Sequence, residues 1–273
     1  MAFPKLTFQL VLVSLMSFFL ACTEKKSAGN EKIEGNESNS LSNYIDTVQN
    51  QQISPLKLSE EYASKGKIIE AIQVLSDGLI KYPKNPSILY QLGNLYLQSG
   101  DTTKAINSIQ QSIDIGNENP DAILKIGFLL ANKNDADCLK YAKLLIHDND
   151  TWKTNYQGYF LKGIYLANTG NKKEAMIALD QSIIENYRFI DAYIEKAILL
   201  YESNEFKKSI KLLQKGIEID RFQADLYYWI GRNSEKLKDL NESIYAYEQT
   251  LTLAPDFENA KIRLDSIHKI KNK

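Results

Sequence analysis

The chain has 273 residues, of which 33 are basic and 34 are acidic, so its formal net charge at pH 7 is −1. This balance excludes a protein that is steered to nucleic acid or to an anionic membrane face by its overall charge. The two cysteines and two histidines form no cluster at metal-ligand spacing, which excludes a disulfide-built domain and the common kinds of zinc site.

Residues 1–21 have the features of a secretory signal peptide. Lys5 precedes the apolar run LTFQLVLVSLMSFFLA, which is too short for a stable membrane span. The run ends in FFLAC, which resembles a bacterial lipobox, where a small residue precedes an invariant cysteine that receives lipid. Ala21 and Cys22 match this motif, whereas Phe19 stands where leucine is usual. The resemblance implies lipidation of Cys22 and a membrane anchor; an ordinary signal peptide with an incidental cysteine is the alternative.

The composition of residues 22–51 predicts a flexible linker that follows the lipidated cysteine. The segment is polar and charged, and it lacks the apolar area needed to fold. Such a tether would hold the rest of the chain on the order of 30 Å from the bilayer; a pro-segment without a spacing role is the alternative. The triplet Asp46-Thr47-Val48 resembles the O-glycosylation acceptor of Bacteroidota, and the Lys-, Asn- and Ile-rich composition suits that phylum.

A helical hairpin recurs from residue 52 onward, and residues 86–119 are its clearest copy. Apolar residues spaced by three and four define one face of each of its two helices. Gly93 lies within the first face, where glycine disfavours a helix by about 1 kcal/mol relative to alanine. We therefore expect Gly93 to admit a neighbouring helix, with small Ala105 where the two helices cross and Gly100 in the turn between them.

Three registers of residues repeat along the chain at this period. The small residues of the first helices are Ser59, Gly93, Gly127, Gly163, Ala197 and Gly231. The small residues of the second helices are Ala71, Ala105, Cys138, Ala175, Ser209 and Ser243. The turns contain Gly66, Gly100, Asn134, Gly170, Asn204 and Lys238. Most of these turn residues tolerate a positive φ at a helix end, so the three registers together predict a repeated helix–turn–helix unit.

The pattern resembles the tetratricopeptide repeat, a helix–turn–helix unit of 34 residues. The predicted units are residues 52–85, 86–119, 120–155, 156–189, 190–223 and 224–257. A C-terminal capping helix is predicted over residues 258–273. The resemblance implies an all-α fold, a right-handed superhelical solenoid of antiparallel helix pairs. The unit at 120–155 departs from the period, and its extra stretch HDNDTWK at 147–153 predicts a longer loop there.

The sequence contains no signature of catalysis. It has no glycine-rich phosphate loop, no HExxH motif and no nucleophile elbow. Cys138 falls at a small packing position, which predicts a buried structural thiol rather than a nucleophile. We therefore predict a protein that is not an enzyme and has no catalytic residue, metal site, cofactor, nucleic-acid partner or small-molecule substrate.

The tetratricopeptide resemblance implies a protein or peptide partner held in a concave groove that the first helices line. Carried over residue by residue, the groove positions are Tyr90, Asn94, Leu97, Leu124, Phe128, Phe160, Ile164, Ile194, Ile198, Tyr201 and Tyr228. If Phe128 and Phe160 are exposed there, truncating either ring should reduce affinity and leave stability almost unchanged. The alternative is that these side chains pack within the repeats or against the N-terminal segment. A lysine–asparagine carboxylate clamp, used by chaperone-binding members, is not expected because Tyr90 replaces the clamp lysine.

These observations lead to one functional prediction and two alternatives. We predict an outer-membrane lipoprotein, on the periplasmic side in preference to the cell surface, that serves as a scaffold in the assembly of an envelope complex. The first alternative is a structural or regulatory subunit that docks through its convex face while the groove is occupied. The second is a periplasmic enzyme.

Overall fold

The structure, a computed structural model, describes residues 54–116, 119–146 and 154–271. The predicted signal peptide, the lipidation site Cys22, the linker and the loop at 147–153 lie outside these residues. The described helices include none that is long and apolar enough to cross a membrane.

Within the described ranges the chain forms thirteen α-helices and no β-strand. They are α1 (Pro55–Ser64), α2 (Ile68–Lys81), α3 (Pro86–Gln98), α4 (Thr102–Asp114), α5 (Pro120–Asn132), α6 (Cys138–Ile146), α7 (Asn155–Asn168), α8 (Lys172–Glu185), α9 (Ile190–Glu202), α10 (Phe206–Ile219), α11 (Ala224–Lys236), α12 (Leu240–Leu253) and α13 (Glu258–Lys271). Two compact units divide between Glu118 and Asn119, so that the first contains α1 to α4 and the second contains α5 to α13. In both units each odd-numbered helix up to α11 packs against the even-numbered helix that follows it, and α13 packs against α12.

Local chemistry explains where several helices begin. The side chain of Asn85 accepts hydrogen bonds from the backbone N–H groups of Ser87 and Ile88, at 3.0 and 3.1 Å, and caps α3. Pro86 occupies the first turn of the same helix, where its missing N–H leaves no hydrogen bond unmade. Asp101 caps α4 in the same way, accepting from the N–H of Lys104 at 3.0 Å.

The predicted turn register is confirmed by the backbone. All six turn residues have a positive φ, between 59° and 87°. They are Gly66, Gly100, Asn134, Gly170, Asn204 and Lys238. Lys238 adopts φ 62° although a side chain with a Cβ disfavours this conformation by roughly 1–2 kcal/mol. The geometry of the helix end therefore imposes the left-handed residue even where the sequence offers no glycine or asparagine.

Both small-residue registers are confirmed as helix crossings. All twelve residues are buried. The hydroxyl of Ser209 donates to the carbonyl of Ala197 at 2.8 Å, and the hydroxyl of Ser243 donates to the carbonyl of Gly231 at 3.0 Å. Each bond joins a member of the second register to its counterpart in the first. A Cβ placed on Gly93 would lie 2.5 Å from Cγ1 of Ile109, so this position admits the neighbouring helix as expected.

Cys138 is fully buried, as the sequence predicted. Burial, with the nearby carboxylates of Asp135 and Asp137, raises the pKa of its thiol to about 12. The thiolate is the reactive form of cysteine, so this side chain stays protonated and serves as a small packing residue.

Candidate partner-binding surface

The eleven residues predicted to line a groove all lie on the first helix of a pair. Three are on α3 in the unit before residue 119, and eight are on α5, α7, α9 and α11 in the unit after it. The half-buried members are Tyr90, Asn94, Leu97, Leu124 and Tyr201. The buried members are Phe128, Phe160, Ile164, Ile194, Ile198 and Tyr228. Burial favours the packing alternative for the second group, and partner contact by these six stays a prediction.

Phe160 illustrates how the buried members are held. Its side chain on α7 is only 3% exposed. Its ring meets the ring of Phe189 edge-on, with centroids 5.0 Å apart, and Phe189 also contacts Tyr156 at 4.9 Å. Aromatic pairs in this geometry add stability beyond the area they bury. This ring is therefore part of the core between α7 and the start of α9.

A half-buried arginine among aromatic rings is the most distinctive feature of α9 and α11. The guanidinium carbon of Arg232 lies 5.5 Å from the ring centroid of Tyr201, 5.9 Å from that of Tyr228 and 5.8 Å from that of Trp229. Its Nη1 donates to the hydroxyl of Tyr228 at 3.1 Å, and its Nη2 donates to the hydroxyl of Tyr201 at 3.2 Å. Lys236, one turn later, lies 5.9 Å from the ring of Tyr201. The rings therefore hold the cation in one position.

Arg232 has no anionic partner in the part of the chain that the structure describes. It belongs to none of the ion pairs found there, and its buried Nε has no acceptor. Arg263 provides the contrast, because its Nε donates to Oε1 of Glu235 at 2.9 Å. A guanidinium carries five N–H donors, and the two tyrosine hydroxyls occupy only two of them. Arg232 thus keeps donors and a full charge for a further acceptor.

We define the α9–α11 surface as Tyr201, Arg232 and Lys236 together with the partly exposed side chains beside them on these two helices. The groove prediction included Tyr201 and Tyr228 but omitted Arg232, because it selected mainly apolar and aromatic residues. The signal was present in the sequence, since Arg232 stands at the repeat position that Asn94 and Phe128 occupy in other units. A charged residue at that position is what sequence reasoning passed over.

An acidic cluster lies on the same two helices, nearer their N-terminal ends. It consists of Asp191 and Glu195 on α9 and Asp225 on α11, and α9 packs against α11. Glu195 is only 9% exposed. Burial, together with the charges of Asp191, Glu202 and Asp225, raises the pKa of Glu195 to about 8. Burial and the charge of Asp191 raise the pKa of Asp225 to about 6. The cluster is therefore electrostatically unfavourable as it stands.

Among the residues that the structure describes, no three His, Cys, Asp or Glu side chains are grouped so as to hold a metal ion.

Comparison with known proteins identifies the repeats. A family model described as tetratricopeptide repeat matches residues 86–119 and 224–257, which coincide with two of the units predicted from the sequence. The BBSome complex member BBS4 homolog of Drosophila melanogaster is 22% identical over 213 residues, covering 76% of this chain and 42% of that protein. The chain spans about two fifths of the length of the curated relatives it matches.

Two solved structures share the fold over most of the chain. A tetratricopeptide repeat protein from Parabacteroides merdae aligns with a TM-score of 0.68 and 18% identity, covering 83% of this chain and 90% of that chain. PilW, described as a widely conserved type IV pilus biogenesis factor, aligns with a TM-score of 0.61 and 20% identity, covering 83% of this chain and all of its own. The predicted fold class is confirmed. Residues 86–119 and 224–257 are tetratricopeptide repeats within an all-α helical-repeat fold of the kind that serves protein–protein interaction.

Proposed function

We propose that this protein is a non-enzymatic scaffold that binds a segment of a protein partner on its α9–α11 surface. The observation that carries the proposal is Arg232, a half-buried cation that aromatic rings hold in position and that lacks an anionic partner among the described residues. Aromatic and arginine side chains in partly desolvated positions are the usual anchors of protein interfaces. In the unit before residue 119, Tyr90, Asn94 and Leu97 are half-buried on α3 and are proposed to contact a partner as well.

The proposal includes a lipid anchor on Cys22 and a place at the outer membrane, on the periplasmic side, in a bacterium of the Bacteroidota type. The motif Ala21-Cys22 after the apolar run supports the anchor, and the polar residues 22–51 support a tether between the lipid and the repeats. A role in assembling an envelope complex completes the proposal. PilW, which shares the fold, is itself described as a pilus biogenesis factor.

The anchor is tested by replacing the lipid acceptor. Cys22→Ala should leave an unprocessed precursor or move the protein out of the detergent-extracted membrane fraction, because the thiol is the site of acylation in such motifs. Membrane fractionation and the mass of the mature protein measure both outcomes. Normal processing with wild-type amounts in the outer membrane would contradict the anchor. Cys138→Ala is the matched control, and it should leave processing and location unchanged.

The binding surface is tested by removing the charge of Arg232 while keeping most of its volume. Arg232→Met should lower the recovery of crosslinked partners from envelope membranes at least tenfold, because it removes the donors that face an acceptor on the partner. Lys215→Met, at an exposed position on the second helix α10, is the matched control and should leave recovery unchanged. Equal recovery from wild type and Arg232→Met, with both proteins folded, would remove this residue from the proposed surface.

A second candidate function, docking through the second helices, rests on a separate observation. Several large apolar side chains of the unit after residue 119 are more than half exposed on or just after these helices: Ile177, Ile184, Tyr187, Phe222 and Tyr245. Ile177 also lines a shallow depression of about 340 Å³ between α7 and α8. Exposed apolar groups of this size are candidates for a protein interface when they are contiguous. In this alternative the chain is a structural or regulatory subunit whose first-helix face is not the docking site.

A further inference from the structure

The acidic cluster on α9 and α11 lacks a balancing cation among the described residues. Neither Glu195 nor Asp225 takes part in any of the ion pairs found there. The nearest base along the sequence, Lys196, is engaged elsewhere and pairs with Asp180 on α8. Asp191 and Glu195 are four residues apart on one helix, so their charges are neighbours, and like charges at this spacing disfavour the helix. The arrangement therefore reduces the stability of the fold in which it sits.

Glu195 is the central observation, because it is nine-tenths buried and unpartnered. Its side chain is 9% exposed, and no hydrogen bond or ion pair reaches its carboxyl group within the described chain. It is close enough to Asp191 and Asp225 for both to act on its charge. Elsewhere in the same unit a largely buried carboxylate is fully served, since Glu235 receives Arg263 and the hydroxyl of Tyr247. A buried carboxyl group without such partners is normally completed by something that binds it.

We propose that the acidic cluster binds the side chain of a lysine or arginine in the partner segment. The proposal rests on the proposed function, because the cluster and the α9–α11 surface share the same two helices. An ammonium or guanidinium group would supply the hydrogen-bond donors and the positive charge that Glu195 and Asp225 lack. Ile194 and Ile198 share a helix face with Glu195 by their spacing, so they offer apolar contact to the long stem of such a side chain.

The competing explanation is that Glu195 is simply kept protonated by its surroundings and binds nothing. A neutral carboxyl group would give no preference for a cationic residue over an apolar one of the same length. The two explanations therefore differ in whether a basic residue recurs at one position among the segments that the protein binds.

The test uses the full chain in detergent and a displayed library of random 12-residue peptides. Wild type is compared with Glu195→Gln and Asp225→Asn, which keep the shape of each side chain and remove its charge. Glu218→Gln, at an exposed position on α10, is the matched control. We expect the wild type and Glu218→Gln to select peptides with lysine or arginine at a recurrent position. Both cluster variants should lose that enrichment while circular dichroism shows them folded.

One selected peptide then gives the quantitative answer by fluorescence anisotropy. Replacing its recurrent basic residue with norleucine, or with citrulline where the residue is arginine, should weaken binding to wild type at least tenfold and to Glu195→Gln less than threefold. Such non-additivity shows a direct interaction between the two groups. Selected peptides without a recurrent basic residue, or equal enrichment in the cluster variants, would overturn this inference and leave the proposed function standing. No selection of any peptide by wild type would overturn both.

Discussion

Phe160→Ala is expected to lower the free energy of unfolding by about 3–5 kcal/mol, the usual cost of deleting a buried phenylalanine ring. The ring is 3% exposed and packs edge-on against Phe189 at 5.0 Å, so its removal leaves a cavity between α7 and the start of α9. Chemical denaturation followed by circular dichroism measures the change. This result would assign the ring to the core and not to an exposed groove, which is the packing alternative that the sequence left open.

Ile177→Ala is the matched control for this measurement. Ile177 lies on α8, the other helix of the same pair, and is 70% exposed. Substitutions at such exposed positions usually change stability by less than about 0.5 kcal/mol. If Phe160→Ala unfolds at the same denaturant concentration as Ile177→Ala, the ring contributes nothing to the core, and an exposed role in binding becomes the better explanation.

Glu195→Gln is expected to stabilise the protein, and to do so more strongly as the pH rises. Burial, together with like charges, raises the pKa of Glu195 from its ordinary value of 4.5 to about 8. Between these values the unfolded chain releases the proton while the folded protein keeps it. Stability of the wild type therefore falls through this window by roughly 1.4 kcal/mol per pH unit from this group. Glutamine carries no such proton, so the variant does not lose this stability.

The measurement is the difference in unfolding free energy between Glu195→Gln and wild type at pH 5 and at pH 8. The difference should grow by about 2–4 kcal/mol between the two conditions, since all other groups titrate alike in both proteins. Glu218→Gln, on the exposed side of α10, should show a difference that does not change with pH. A Glu195→Gln difference that is equally constant would mean that this carboxyl group ionises freely in the folded protein, and that the acidic cluster is not buried as described.

The repeat architecture could be predicted from sequence because its constraints are local or recur at a constant period. Gly100 and Asn134 mark helix ends where the backbone needs a positive φ, and even Lys238 follows that rule. Gly93 and Ser209 mark crossings where only a small side chain fits. Each of these requirements is imposed by backbone geometry, so it appears in every copy of the unit.

The candidate surface was harder to predict, because exposure depends on which neighbouring side chains fill the space around a first helix. Phe160 stands at a ligand-facing position of the repeat, yet Phe189, a residue of the adjacent connection, covers it. Glu195 was not singled out, because an isolated charge on a helix normally indicates a solvated face. Its burial arises from the packing of α11 against α9, and a sequence pattern of one helix does not contain that information.

The most direct test of partner binding on the α9–α11 surface is photocrosslinking from defined positions in living cells. A photoreactive phenylalanine is introduced at Lys236, which is exposed beside Tyr201, or at Tyr245, which is 55% exposed on α12 of the same helix pair. We predict that a partner adduct forms from position 236 and not from position 245, and that Arg232→Met abolishes the adduct. An adduct from position 245 alone would contradict the account and would assign docking to the second helices.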